Sequence, residues 1–103
     1  MAQRHTELVR AAIDVIATRG GFAWKHQNGT FAIAGGRVMQ TGKRGLPDVI
    51  GVLPGGRLVA VEAKVGRDPV SDEQTHVMRV LEARGALVVV VRDSIDALVE
   101  ALR

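Results

Sequence analysis

Cysteine is absent from all 103 residues, which excludes disulfides and thiolate metal sites and fits a reducing compartment. No apolar run approaches the ~20 residues that a membrane span needs. The first residues, Met1 to Glu7, lack the apolar centre of a signal peptide. The expectation is an intracellular, cytoplasmic protein with no membrane attachment. Internal repeats and low-complexity segments are missing too. Acids are scarce in one place above all: between Arg19 and Arg67 the only two are Asp48 and Glu62. The same interval holds Arg19, Lys25, Arg37, Lys43, Arg44, Arg57, Lys64 and Arg67. A basic middle of this kind suits an anionic partner such as a phosphate backbone, although a solubilising surface would look the same.

What is present is ordinary for a single soluble domain spanning residues 1–103, with 47% hydrophobic and 24% charged residues and a net charge of +3. From about Thr6 to Thr18, Leu8, Val9, Ala12, Ile13 and Ile16 recur at helical spacing, and Gly20-Gly21 ends the helix. Phe22 to His26 alternates as a strand, Asn28-Gly29 signals a hairpin, and Thr30 to Ala34 is its expected return strand. The Gly-rich, basic stretch from Gly35 to Gly45 reads as a loop. Its Thr41-Gly42-Lys43-Arg44 fails as a phosphate loop, because the earlier Gly and the final Ser or Thr are missing.

Two apolar strands follow, about Leu46 to Leu53 and Leu58 to Val65, joined through Pro54-Gly55-Gly56. Ser71-Asp72-Glu73-Gln74 is a capping box that opens a helix with Val77, Met78, Val80 and Leu81 turned inward, closed by Gly85. Ala86 to Val91 lacks polar alternation and reads as a strand buried on both faces. Asp93 or Ser94 would cap a last helix. The predicted fold is an α/β domain, a mixed central sheet flanked by helices.

Charges interrupt the central strands at Asp48, Glu62 and Lys64, and buried charges are costly unless paired or metal-bound. Glu62 and Lys64, two apart on a strand, share a face. A two-residue turn at Gly55-Gly56 would set Asp48 opposite Ala63, on the other face. An odd-length turn, or a bulge, would set it opposite Glu62. Two carboxylates and an ammonium gathered in that way suit magnesium or manganese, with positions left for water and a phosphate. An Asp after Pro is also an ordinary turn residue, and Glu-x-Lys an ordinary ion pair.

Gly45-Leu46-Pro47-Asp48, Val61-Glu62-Ala63-Lys64 and Ser71-Asp72-Glu73-Gln74 closely resemble the VRR-NUC family of the PD-(D/E)XK nuclease superfamily. The resemblance runs from Glu7 to the last helix and is to the stand-alone type found in phages. It implies a restriction-endonuclease-like core and a metal-dependent DNA endonuclease, structure-selective for branched DNA such as Holliday junctions, and acting as a homodimer. By the same resemblance Asp48 and Glu62 would bind the metal with the Ala63 carbonyl. Glu7 would join them directly or through water. Lys64 would be the catalytic lysine, and Gln74 matches the family's glutamine. Gln74 is equally explained as a capping residue, and Glu7 as a first-turn acid favoured by the helix dipole.

Lys25, Arg37, Lys43, Arg44, Arg57 and Arg67 are the candidate phosphate contacts. His5, His26 and His76 fall on different elements and are not read as a metal cluster. Trp24, the only tryptophan, is read as core or dimer interface, with base stacking the rarer role. A rival to the enzyme is a non-catalytic nucleic-acid-binding module of the same fold.

Overall fold

The computed structural model describes residues 2–26, 29–32, 34–41 and 44–103, with the side chains of 2–3, 29–31 and 39–41 left aside. Helix α1 (Ala2–Thr18) starts four residues before the expected Thr6, since Ala2, Gln3 and Arg4 are good helix formers. Leu8, Val9, Ala12 and Ile16 form its buried stripe. Strands β1 (Phe22–Lys25), β2 (Gly29–Ala32), β3 (Val38–Thr41), β4 (Val49–Val52) and β5 (Leu58–Lys64) follow, then α2 (Asp72–Ala83), β6 (Leu87–Arg92) and α3 (Asp96–Ala101).

The main sheet is mixed, in the order β1-β4-β5-β6. β1 runs antiparallel to β4 and β4 to β5, whereas β6 lies parallel to β5. This parallel pairing needs a crossover, which α2 supplies. Val49, Val59, Val61, Ala63, Val89 and Val91 form one core with Leu8, Val9, Ala12 and Ile16 of α1 and Leu98 of α3. One face of the sheet therefore packs on α1 and α3. The opposite face carries Glu62 and Lys64, and α2 lies over it.

The expected hairpin of the Phe22 strand with the Thr30 strand does not form. β1 pairs with β4 instead, and β2 pairs with β3 in a separate two-stranded sheet. The segment from Gly35 to Gly45, read as a loop, thus contains β3. Its glycines hid the strand: Gly35 and Gly36, at φ 82° and 72°, make the turn that returns the chain into Val38. Asn28, on which the hairpin signal rested, lies outside the described residues. β6 is not buried on both faces either, because it is a sheet edge and Val90 stays 36% exposed. Asp93 and Ser94 do not cap α3, whose N-cap is Ile95. The Asp93 carboxylate is engaged by the Gly66 N–H and Arg4 instead.

Val49 faces Val61 and Val52 faces Leu58, and Leu53 N–H donates to the Arg57 carbonyl at 2.8 Å. The connection is a three-residue turn, Pro54-Gly55-Gly56, with both glycines at φ near 95° where a side chain would be strained. This is the odd-length alternative. It sets Asp48 opposite Glu62.

Candidate active site

Glu62 and Lys64 are the buried charges of the core, their side chains 3% and 8% exposed. Lys64 Nζ stands 3.2 Å from Glu62 Oε2. Gln74, on the first turn of α2, closes a triangle with them: its Nε2 donates to Glu62 Oε2 at 2.7 Å, and its Oε1 accepts from Lys64 Nζ at 3.1 Å. The same Oε1 accepts from Ser71 N–H, while Ser71 Oγ accepts from Gln74 N–H. Capping and site membership, weighed above as alternatives, are one arrangement. The capping box fixes the rotamer that delivers the carboxamide to the strand. Ser71→Ala is therefore expected to cost about 1 kcal/mol in urea unfolding. Cleavage should change less than tenfold, because Glu62, Lys64 and the Ser71 N–H still hold Gln74.

Asp48 arrives from the other side. Gly45, at φ 82°, brings the chain so close to α2 that a Cβ there would lie 3.0 Å from the Glu73 carbonyl oxygen. Pro47 follows, fully buried, and locks the entry into β4. Asp48 Oδ2 accepts from the Ala63 N–H at 2.8 Å. N–H and C=O of a strand residue project from the same edge. Lys64 C=O is turned to the other edge, where Asp93 N–H takes it. Ala63 C=O therefore faces the gap beside Asp48.

Burial first, then the charge of Asp48, push the Glu62 carboxyl from 4.5 up to about 7, against the opposing pull of Lys64. Glu62 Oε1 is buried with no hydrogen-bond donor. A buried acceptor left in that state is expensive. Among the described residues no three His, Cys, Asp or Glu side chains converge to hold an ion. The donors on offer are two carboxylates and the Ala63 carbonyl, all hard oxygens, a set that fits magnesium or manganese sharing its sphere with water and phosphate.

Glu7 is not among them. It lines a separate cleft with Arg4, Leu8, Asp93 and Ile95. Residues 5 and 7 point about 200° apart on a helix. His5 is the α1 residue at the site, its Nε2 3.5 Å from Asp48 Oδ2. His5, Lys25, His26, Gly45, Leu46, Asp48 and Gln74 line one cleft of about 310 Å³. Two histidines set aside in the sequence reading therefore flank the aspartate. His5 carries the signal that would have found it: it extends the stripe of Val9, Ala12 and Ile16 by one turn.

Of the basic candidates, Lys25 lines this cleft, and Arg44, which precedes the lining residue Gly45, is exposed with its Nε 3.7 Å from Glu73 Oε2. Arg57 is occupied with the Gly85 carbonyl at 2.9 Å, at the far end of β5. Arg37 and Arg67 are exposed and apart from the cleft, and Lys43 lies outside the described residues.

The family model for the VRR-NUC domain matches residues 26–94, from the end of β1 past β6. The chain belongs to the VRR-NUC family. A solved VRR_NUC domain superposes with a TM-score of 0.65 over 96% of this chain and 92% of that one, at 23% identity, and shares its fold. No curated protein matches. The VRR-NUC assignment makes this a nuclease-type domain, and among the described residues no helix is long and apolar enough to cross a membrane.

Proposed function

We propose that the chain is a magnesium- or manganese-dependent DNA endonuclease, selective for branched DNA and working as a homodimer. The observation that carries the reading is the buried Glu62–Lys64–Gln74 triangle with Glu62 Oε1 left unpartnered beside Asp48. A non-catalytic DNA binder gains nothing from holding such a carboxylate near a polyanion. Asp48, Glu62 and the Ala63 carbonyl would hold the ion, which when bound supplies Lewis acidity toward the phosphodiester and a more acidic water.

The chain's own residues do the rest. Lys64 has three N–H donors. Glu62 and Gln74 take two of them, and the third, with the Asp68 carboxylate 3.9 Å from the ammonium, is the one that the attacking water or a phosphate oxygen would take over. Gln74 keeps the ammonium on the cleft side of Glu62, and Lys25 with Arg44 draws the phosphate backbone to the cleft. A single domain of this size covers only part of a four-way junction, and the two-fold symmetry of a homodimer matches two symmetrical cuts. The β2–β3 hairpin, with Val38 65% exposed, is the candidate contact between copies.

The test compares four-way, flap and linear duplex DNA, with manganese or chelator, for the wild type and Asp48→Asn. Manganese-dependent, symmetrical nicks on the junction, lost in the variant, are the expected result. Cleavage that survives chelation and the substitution sinks the mechanism. Binding with no cleavage of any substrate favours the non-catalytic module. Cutting confined to free ends removes the junction selectivity.

A further inference from the structure

Phe22 and Trp24 are left in solvent, 72% and 44% exposed, with Val52 beside them at 40%. Their rings lie 5.8 Å apart, tilted by 47°. Large aromatics at such exposure are unusual in a domain with so few of them, since the chain has one Trp, two Phe and no Tyr.

Strand register places the pair. Trp24 stands opposite Ile50, and Ile50 opposite Ala60. One same-face step further, about 7 Å along the strands, runs the row His26, Asp48 and Glu62, tied by His26 N–H donating to the Asp48 carbonyl at 2.7 Å. The rings thus occupy the same sheet face as the candidate site, Trp24 as its immediate neighbour and Phe22 one same-face step beyond. α2 covers the β5 and β6 side of this face and leaves the β1 side open.

We propose that Phe22 and Trp24 form a stacking platform for unpaired bases next to the cleaved phosphate. This rests on the nuclease reading above and adds to it the feature of branched DNA that is recognised. Base stacking on aromatic rings is tolerant of sequence and needs unpaired nucleotides, which a flap supplies outright, a four-way junction only where pairs open at its branch point, and a blunt duplex not at all. A second copy of the chain is the poorer occupant. A stable interface takes ~20–30 residues a side, against a handful of apolar side chains here. It would also stand directly beside the cleft that Lys25, His26 and Asp48 line, where the substrate must enter.

Trp24 reports on itself, because no other tryptophan or tyrosine contributes to the emission. Full-length protein in chelator is titrated with a labelled flap DNA and with a blunt duplex, reading anisotropy for binding and tryptophan emission for stacking. Emission should be quenched by the flap at the concentrations where anisotropy rises, and much less by the duplex. Trp24→Ala should weaken flap binding about tenfold or more and leave duplex binding within about twofold, whereas Trp24→Phe keeps most of the flap preference.

Unchanged emission while the flap is demonstrably bound overturns the platform and leaves the nuclease reading intact. A shift of emission with protein concentration alone, accompanied by a change in sedimentation that Trp24→Ala abolishes, assigns the rings to a second copy instead. Absence of binding to either DNA removes the nuclease reading and the platform together.

Discussion

Glu62→Gln is expected to abolish cleavage and, in the same protein, to raise the melting temperature at pH 8. The loss of activity follows from removing one of the two carboxylates offered to the ion. Lewis-acid stabilisation is worth several kcal/mol, roughly a thousandfold in rate. The gain in stability follows from the pKa. Burial and Asp48 lift the Glu62 carboxyl from 4.5 to about 7 in the folded protein. Between those values the folded state holds a proton that the unfolded chain has released. The stability tied to that proton is complete below pH 4.5 and is lost as the pH rises through about 7. Gln does not titrate, and its Oε1 still accepts from Gln74 and Lys64. The two proteins should therefore melt together near pH 4.5 and separate on the way to pH 7, staying apart at pH 8. About 1 kcal/mol corresponds to ~4–8 °C for a domain of this size. The scans are run in chelator, since bound cation would stabilise the wild type alone. A variant that melts below the wild type at pH 8 would show that Glu62 is not held against its own charge.

The parts of this site legible in the sequence are those that local rules govern. Strand parity reduced the placement of Asp48 to the length of the turn at Pro54-Gly55-Gly56, because a one-residue slip flips every side chain, and the β4–β5 register then settles it opposite Glu62. Ser71 and Gln74 announced the start of α2 by spacing alone. What the spacing did not carry was that the capping glutamine reaches past its own helix to Glu62 and Lys64, a contact made only when α2 lies over the sheet.

Long-range pairing was the weak point. With β1 assigned to the Thr30 strand, His26 had no reason to stand beside Asp48; its place comes from the β1–β4 register, which nothing local encodes. Asn28-Gly29 is a strong local signal, but β1 is held by four residues of ladder to β4 and by its packing against α1. Glu7 shows the same lesson on a helix. An acid near the start of α1 was the expected partner for the site, yet helical phase turns it away and turns His5 in.

Lys64→Met should lower single-turnover cleavage by about 10²–10⁴-fold with DNA binding nearly unchanged. The aliphatic stem is retained, so packing is kept and only the charge and its donors go. Binding is spread over the cleft and its basic rim, and one buried ammonium contributes little to it. The effect on stability is the mirror image of Glu62→Gln. Lys64 is the group that pulls the Glu62 carboxyl down, and without it Glu62 keeps its proton to higher pH. Breaking a buried pair costs about 3–5 kcal/mol when the remaining charge is kept. It costs less when that charge is neutralised, so the variant should be clearly destabilised at pH 8 and close to the wild type near pH 4.5. Residual activity should also continue to rise with pH beyond the point where the wild type has levelled off. Glu62→Gln added to Lys64→Met should recover most of the stability lost at pH 8 and none of the activity. That non-additivity marks two groups that work as one unit. Cleavage by Lys64→Met within tenfold of the wild type would remove the ammonium from the reaction and leave it a structural partner of Glu62.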